Sequence, residues 1–217
     1  MTFALALHVL VGLSPVLGFL AALVFLDSYK LVAMRVVVMV VLAGVVAAAA
    51  CYFANGWLLG RLGIEIGAYS RYVGPLVEEF AKGLVIVALI RANRVGFLVD
   101  GAILGFAVGA GFAIVENLQY QRLVPDAGLS TWIVRGFGTA VMHGGVTATF
   151  AMMGLAMLER AGRAAAIAFV PGYALAVALH SAYNHLAAVP LFATLAVLVV
   201  VPLTMYVVFD RSERSVG

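Results

Sequence analysis

The sequence predicts an all-α protein, a polytopic bundle of about seven transmembrane helices, with an eighth crossing as the alternative. Three observations carry this. First, 65% of the 217 residues are hydrophobic and only 11% are charged, against about 45–50% and about 25% in soluble domains. Second, several apolar runs are long enough for a helix to cross roughly 30 Å of hydrocarbon. Third, the short alternating segments of a membrane barrel are absent. The net charge of +3 does not point to nucleic acid, because the basic residues sit in short loops beside apolar runs, where they report topology. Cys51 is the one cysteine, so neither an intrachain disulfide nor a metal–thiolate motif is available.

The elements follow in order. Segment 3–26 has no Lys or Arg before it and exceeds the length of a signal core, so no cleavable signal peptide is expected. Segment 31–54 is the second crossing. Residues 55–70, NGWLLGRLGIEIGAYS, are short, Gly-rich and amphipathic, and read as a loop or interfacial helix. Segments 71–91, 97–121, 132–158, 164–187 and 189–209 complete the count. Gly101, Gly105 and Gly109 recur every four residues in 97–121, with Gly111 beyond. That spacing makes a smooth helix face that a neighbouring backbone can approach. No soluble domain or linker interrupts the chain, so residues 1–217 read as one membrane domain.

Orientation follows from the basic residues. With the N-terminus outside, Lys30, Arg35, Arg91, Arg94, Arg160, Arg163, Arg211 and Arg214 are cytoplasmic, and Arg61, Arg71 and Arg122 are external. The excess favours an external N-terminus and a cytoplasmic C-terminus.

Ionisable side chains inside membrane segments are costly and mark function. Segment three carries Glu78, Glu79 and Lys82; segment four, Glu116 and Asn117; segment five, Arg135 and His143; segment six, His180, Asn184 and His185. Lys82 follows the glutamates by four and three residues, which puts its ammonium beside one or both of them on a helix. His180 and Asn184, four apart, share a face. At 1.5 Å of rise per residue, Glu78 and His180 lie roughly 10 Å from the outer end, His143 roughly 16 Å, and Glu116 near the depth of Glu78. Four helices thus deliver two acids and two imidazoles to one layer, as helix bundles do when they build a site. Arg135 reads as an interfacial ion pair or lipid contact, and Asp100 as a negative charge suited to a helix start.

Such a set can bind a metal ion, since imidazole nitrogen and carboxylate oxygen suit zinc. It can also activate water directly through a buried glutamate. Both routes lead to hydrolysis, with Asn184 available to hydrogen-bond an oxyanion. No Ser or Cys occupies an obvious nucleophile setting, and the H-E-x-x-H run is missing. The rival class is a proton- or metal-coupled transporter, which predicts inverted repeats and broken helices near the midplane; no clear repeat is visible.

EEFAK at 78–82, VDGAILGFAVGAGFAIVEN at 99–117, MHGG at 142–145 and HSAYN at 180–184 resemble the motifs of the PrsW family of intramembrane proteases. The resemblance covers roughly residues 74–185, within a catalytic core of about 71–187. More distantly the pattern is similar to the CAAX prenyl protease and bacteriocin-processing group, with Phe112 and Glu116 as F-x-x-x-E in place of F-x-x-x-H. The resemblance implies a peptidase in a bacterial or archaeal cell membrane, acting on membrane-anchored proteins, as in the first extracytoplasmic cut of an anti-sigma factor. The implied partners are that protein substrate and the lipid bilayer, with no nucleic acid. By motif position Glu78 is the general base, and Glu79 a metal ligand or a support paired with Lys82. Glu116, His143 and His180 are the expected ligands of a zinc ion, and Asn184 and Asn117 the orienting or oxyanion groups.

Overall fold

A computed structural model describes residues 3–26, 32–124, 126–161 and 166–216. Lys30 and Arg163, which entered the orientation argument, lie outside the described residues, as do the side chains of Arg211 and Arg214. The described residues are helical almost throughout, with no strand among them. Helix α1 spans Phe3–Leu26 and α2 spans Met34–Leu62. A short α3 (Ile66–Ala68) runs through a π-helical stretch, Tyr69–Val73, into α4 (Gly74–Arg91). Then come α5 (Leu98–Leu123), α6 (Leu129–Val134), a second π-helical stretch at Arg135–Ala140, and α7 (Val141–Ala161). A 3₁₀ turn at Ala166–Phe169 leads to α8 (Val170–His185), and another at Leu186–Ala188 leads to α9 (Pro190–Val216).

Among the described residues, six helical stretches are long and apolar enough to cross a membrane. The seventh rod, α4, holds Glu78, Glu79, Lys82 and Arg91 within its 18 residues, which lowers its apolarity but not its reach. Helix α2 extends past residue 54, where the sequence suggested a loop or interfacial helix, and stops at Leu62. The stop is Gly63 with φ 61, whose N–H returns to the Leu59 carbonyl. A left-handed residue that bonds the last turn in this way is the usual use of glycine at a helix end. At the start of α5, Asp100 Oδ2 accepts from the N–H groups of Gly96 and Phe97, both at 2.9 Å. It supplies the negative charge expected there.

Helices α5 and α7 form the centre. In their apolar stretches 72% and 83% of residues are buried, against 22–33% in those of α1, α2, α8 and α9. The α5 glycines explain the close approach. A Cβ on Gly105 would lie 2.6 Å from Ala148 Cα, and one on Gly109 would overlap the His143 carbonyl. Gly101 meets the Ala151–Met152 backbone and the Leu155 side chain. Gly111 points the other way, onto the Val41 carbonyl of α2, while Gly44 of α2 meets Val108. Antiparallel contact of α5 with α7 therefore fixes the level of His143 relative to Glu116.

Candidate active site

The polar residues of α4, α5, α7 and α8 meet in one network. At its centre Lys82, fully buried, donates to Glu79 Oε1 at 2.6 Å and faces His143 Nδ1 at 3.0 Å. Its ammonium also lies 4.8 Å from the centre of the Phe112 ring. A buried charge is tolerated only when paired and hydrogen-bonded, and here every direction offers an acceptor or a π face. An ammonium has no lone pair, so the His143 Nδ1 it faces is the unprotonated nitrogen. The ring proton then sits on Nε2, which contacts Glu116 Oε2.

Glu79 has a second duty. Its Oε1 also accepts from His180 Nδ1 at 2.7 Å. The other ring nitrogen of His180 is thereby left as a lone-pair donor, 3.9 Å from Glu78 Oε2. A carboxylate behind a histidine is how metal-binding proteins set tautomer and ring direction. His143 and His180 stand edge to face, 4.9 Å between ring centres. Both are almost fully buried, as are Glu79 and Lys82, while the side chains of Glu78 and Glu116 remain 19% and 33% exposed. The two acids are thus the open rim of a closed polar core. Glu78, His143 and His180 each offer one donor atom within 4.8 Å of the other two.

Glu116 is held from behind. Arg135 Nη2 donates to its Oε1 at 3.0 Å, and Arg135 Nε to Asn117 Oδ1 at 2.9 Å. The guanidinium lies 3.9 Å above the Tyr120 ring. Asn117 spends its own amide donor on the Gly12 carbonyl of α1, at 3.1 Å. It therefore anchors Arg135 and does not touch the imidazoles. Of the two readings given for Arg135, the ion pair is the one observed, and its partner is Glu116.

Asn184 also points elsewhere. Its Nδ2 donates to the Ser70 carbonyl at 2.7 Å, and Ser181 Oγ donates to the Arg71 carbonyl at 2.6 Å. The reason lies in the local sequence. The Gly74 N–H is used on the Tyr69 carbonyl in the π pattern, and residue 75 is proline, with no N–H to give. The Ser70 carbonyl has no helical donor left, and α8 supplies one.

Sequence reasoning missed Asn55 and Tyr69. Asn55 Nδ2 donates to Glu78 Oε1 at 3.1 Å, and Tyr69 Oη donates to Asn55 Oδ1 at 2.8 Å. Both lie in the stretch that read as loop or interfacial helix. The available signal was Gly63 two residues after Arg61, a helix stop that would have carried α2 to residue 55. Both π-helical stretches border the site, one turn before Glu78 and just before His143, and such insertions recur at functional positions.

No curated protein and no solved structure matches the chain. One family's sequence model, described as PrsW family intramembrane metalloprotease, matches residues 29–209, a span that holds the whole network of acids, imidazoles and Lys82. With nearly the entire bundle matched, and two imidazoles and a carboxylate converging inside it, the chain belongs to the PrsW family of intramembrane metalloproteases.

Proposed function

We propose that the protein hydrolyses peptide bonds of membrane-anchored proteins near the extracytoplasmic face, with Glu78 activating the attacking water. The observation that carries this is the convergence of Glu78 with the His143 and His180 imidazoles beside a fully buried Lys82. Glu79 balances Lys82 and orients His180, and Glu116 is balanced by Arg135. Glu78 is bonded to the neutral amide of Asn55, which leaves it the acid free to take a proton.

The family implies a metal, and the donor set fits one. Two imidazoles with carboxylates, and a carboxylate already behind His180, are the chemistry of a zinc site. His143 Nε2, on giving up the proton it shares with Glu116, and His180 Nε2 would supply nitrogens, and Glu116, on His143, the oxygen. A bound zinc ion would acidify its water and polarise the scissile carbonyl. Glu78 takes the water proton as the oxygen attacks the carbonyl carbon. It returns that proton to the departing amine as the C–N bond breaks. The 4.8 Å grouping of Glu78 with both imidazoles favours a second reading, in which Glu78 is itself a ligand.

The extracytoplasmic placement rests on charge. Arg35, Arg91, Arg94 and Arg160 flank the bundle end far from the site, and the nearer end has Arg61, Arg71 and Arg122. A site near the outer face of a bacterial or archaeal cell membrane suits the first cut of a membrane-anchored regulator such as an anti-sigma factor.

Purified Glu78→Gln and His143→Ala, assayed on a membrane-anchored substrate, should each lose at least about 100-fold in turnover. Full activity in either sinks its assignment. Metal analysis separates the two readings. Glu78→Gln should keep about one zinc per chain while His143→Ala loses it; loss from Glu78→Gln makes Glu78 a ligand.

A further inference from the structure

We infer that Tyr69 and Asn55 form a two-residue relay that positions the Glu78 carboxylate for its reaction. The inference rests on the proposed role of Glu78 and adds two positioning residues to it. The direction of the relay is set by chemistry. An ionised carboxylate only accepts, so the Asn55 group facing Glu78 Oε1 at 3.1 Å is the amide NH₂. The amide oxygen then faces Tyr69, and the phenol must donate to it, at 2.8 Å. Without that phenol, the carboxylate alone would hold Nδ2 rather than Oδ1 towards Glu78, and the Asn55 oxygen would lose its partner. A flipped amide would set oxygen against carboxylate.

The relay is packed on both sides. Tyr69 is only 5% exposed and opens the π-helical stretch, with its carbonyl bonded by the Gly74 N–H. Asn55 lies one turn beyond Cys51, whose thiol faces the Val77 carbonyl, so this face of α2 already lies against α4. The relay takes up Oε1 of Glu78 and leaves Oε2 facing His180 Nε2. Glutamate has three rotatable side-chain bonds, and holding one oxygen selects the rotamer that aims the other. Neither relay residue faces the imidazoles, so the effect should fall on turnover and spare substrate affinity.

The test uses the full-length protein with a membrane-anchored substrate, measuring kcat and KM separately along with thermal unfolding in detergent. Asn55→Ala should lower kcat about tenfold, the loss of one hydrogen bond to a charged group, with KM within about twofold. Asn55→Asp keeps the shape but replaces the donor with a second carboxylate, and should do no better than Asn55→Ala. Tyr69→Phe keeps the buried ring and should lower kcat about threefold. Since Tyr69 acts through Asn55, the double variant should be no worse than Asn55→Ala alone. Should Asn55→Ala not fold, the isosteric Asn55→Asp and Tyr69→Phe still decide. Wild-type kcat in Asn55→Asp or Tyr69→Phe overturns the relay, as do losses that multiply in the double variant. An inactive Glu78→Gln beside fully active relay variants would fell this inference alone; a fully active Glu78→Gln would fell the Glu78 reading beneath it.

Discussion

Two pairs of helices build the site, and they are joined in different ways. Helices α5 and α7 bring Glu116 and His143 together through backbone contact at Gly105 and Gly109. Helices α4 and α8 bring Glu79 and His180 together through side-chain donors. Tyr173 Oη bonds the Leu76 carbonyl at 2.8 Å, and Ser181 and Asn184 bond the carbonyls of Arg71 and Ser70. All three bonds are exposed. The first joint is specified by shape and tolerates no added atom, whereas the second is a row of replaceable bonds. One half of the site is thus held to a fixed level and the other is adjustable, with Lys82 spanning both by touching Glu79 and His143.

The sharpest way to break the contrast is to remove that span. Lys82→Met should cost about 3–5 kcal/mol, because it strands a buried carboxylate that the ammonium had compensated. Thermal unfolding in detergent reads the loss. Adding Glu79→Gln to Lys82→Met should recover much of it by removing the stranded charge. A Lys82→Met protein as stable as wild type would mean the two joints hold without their bridge.

The next effect separates the joints themselves. Gly109→Ala places a methyl group on the His143 carbonyl, and should cost about 3 kcal/mol, the upper end of overpacking. Gly18, which meets nothing within 4 Å, is the control. There alanine should be neutral or up to about 1 kcal/mol stabilising, since glycine is the poorer helix former. Equal unfolding midpoints for the two variants would remove the claim that α5–α7 is set by backbone contact.

How much of this was legible follows the same division. The α5 glycines at intervals of four announced their joint, and the depths of Glu78, Glu116, His143 and His180 along their helices announced the meeting of four elements. Those are properties of periodicity and rise, which sequence carries directly. The α4–α8 joint was hidden, because it depends on which carbonyls lack a donor. That in turn depends on a π-helical stretch that ends at Val73, just before Pro75, and a change in hydrogen-bond register leaves no trace in hydropathy. Asn55 and Tyr69 were hidden for a related reason. Polar residues near a membrane interface are ordinary, and only the continuation of α2 to Leu62 brings Asn55 beside Glu78.

Asn184 tests the adjustable joint most finely. The H-x-x-x-N spacing puts it on the face of His180, which suggested an oxyanion donor. One further turn of helix instead carries its amide to the Ser70 carbonyl. Loss of an oxyanion donor costs about 100- to 1,000-fold in kcat. Loss of an exposed bond to a backbone carbonyl costs about 1 kcal/mol or less in stability. Asn184→Ala should therefore lower kcat less than about tenfold, by loosening the segment that leads into Glu78, and move the unfolding midpoint little. Ser181→Ala should act in the same direction, and the pair together more strongly than either, since both bonds hold one segment. A hundredfold loss in Asn184→Ala, with Ser181→Ala silent, would return Asn184 to the reacting carbonyl and leave the α4–α8 joint to Tyr173.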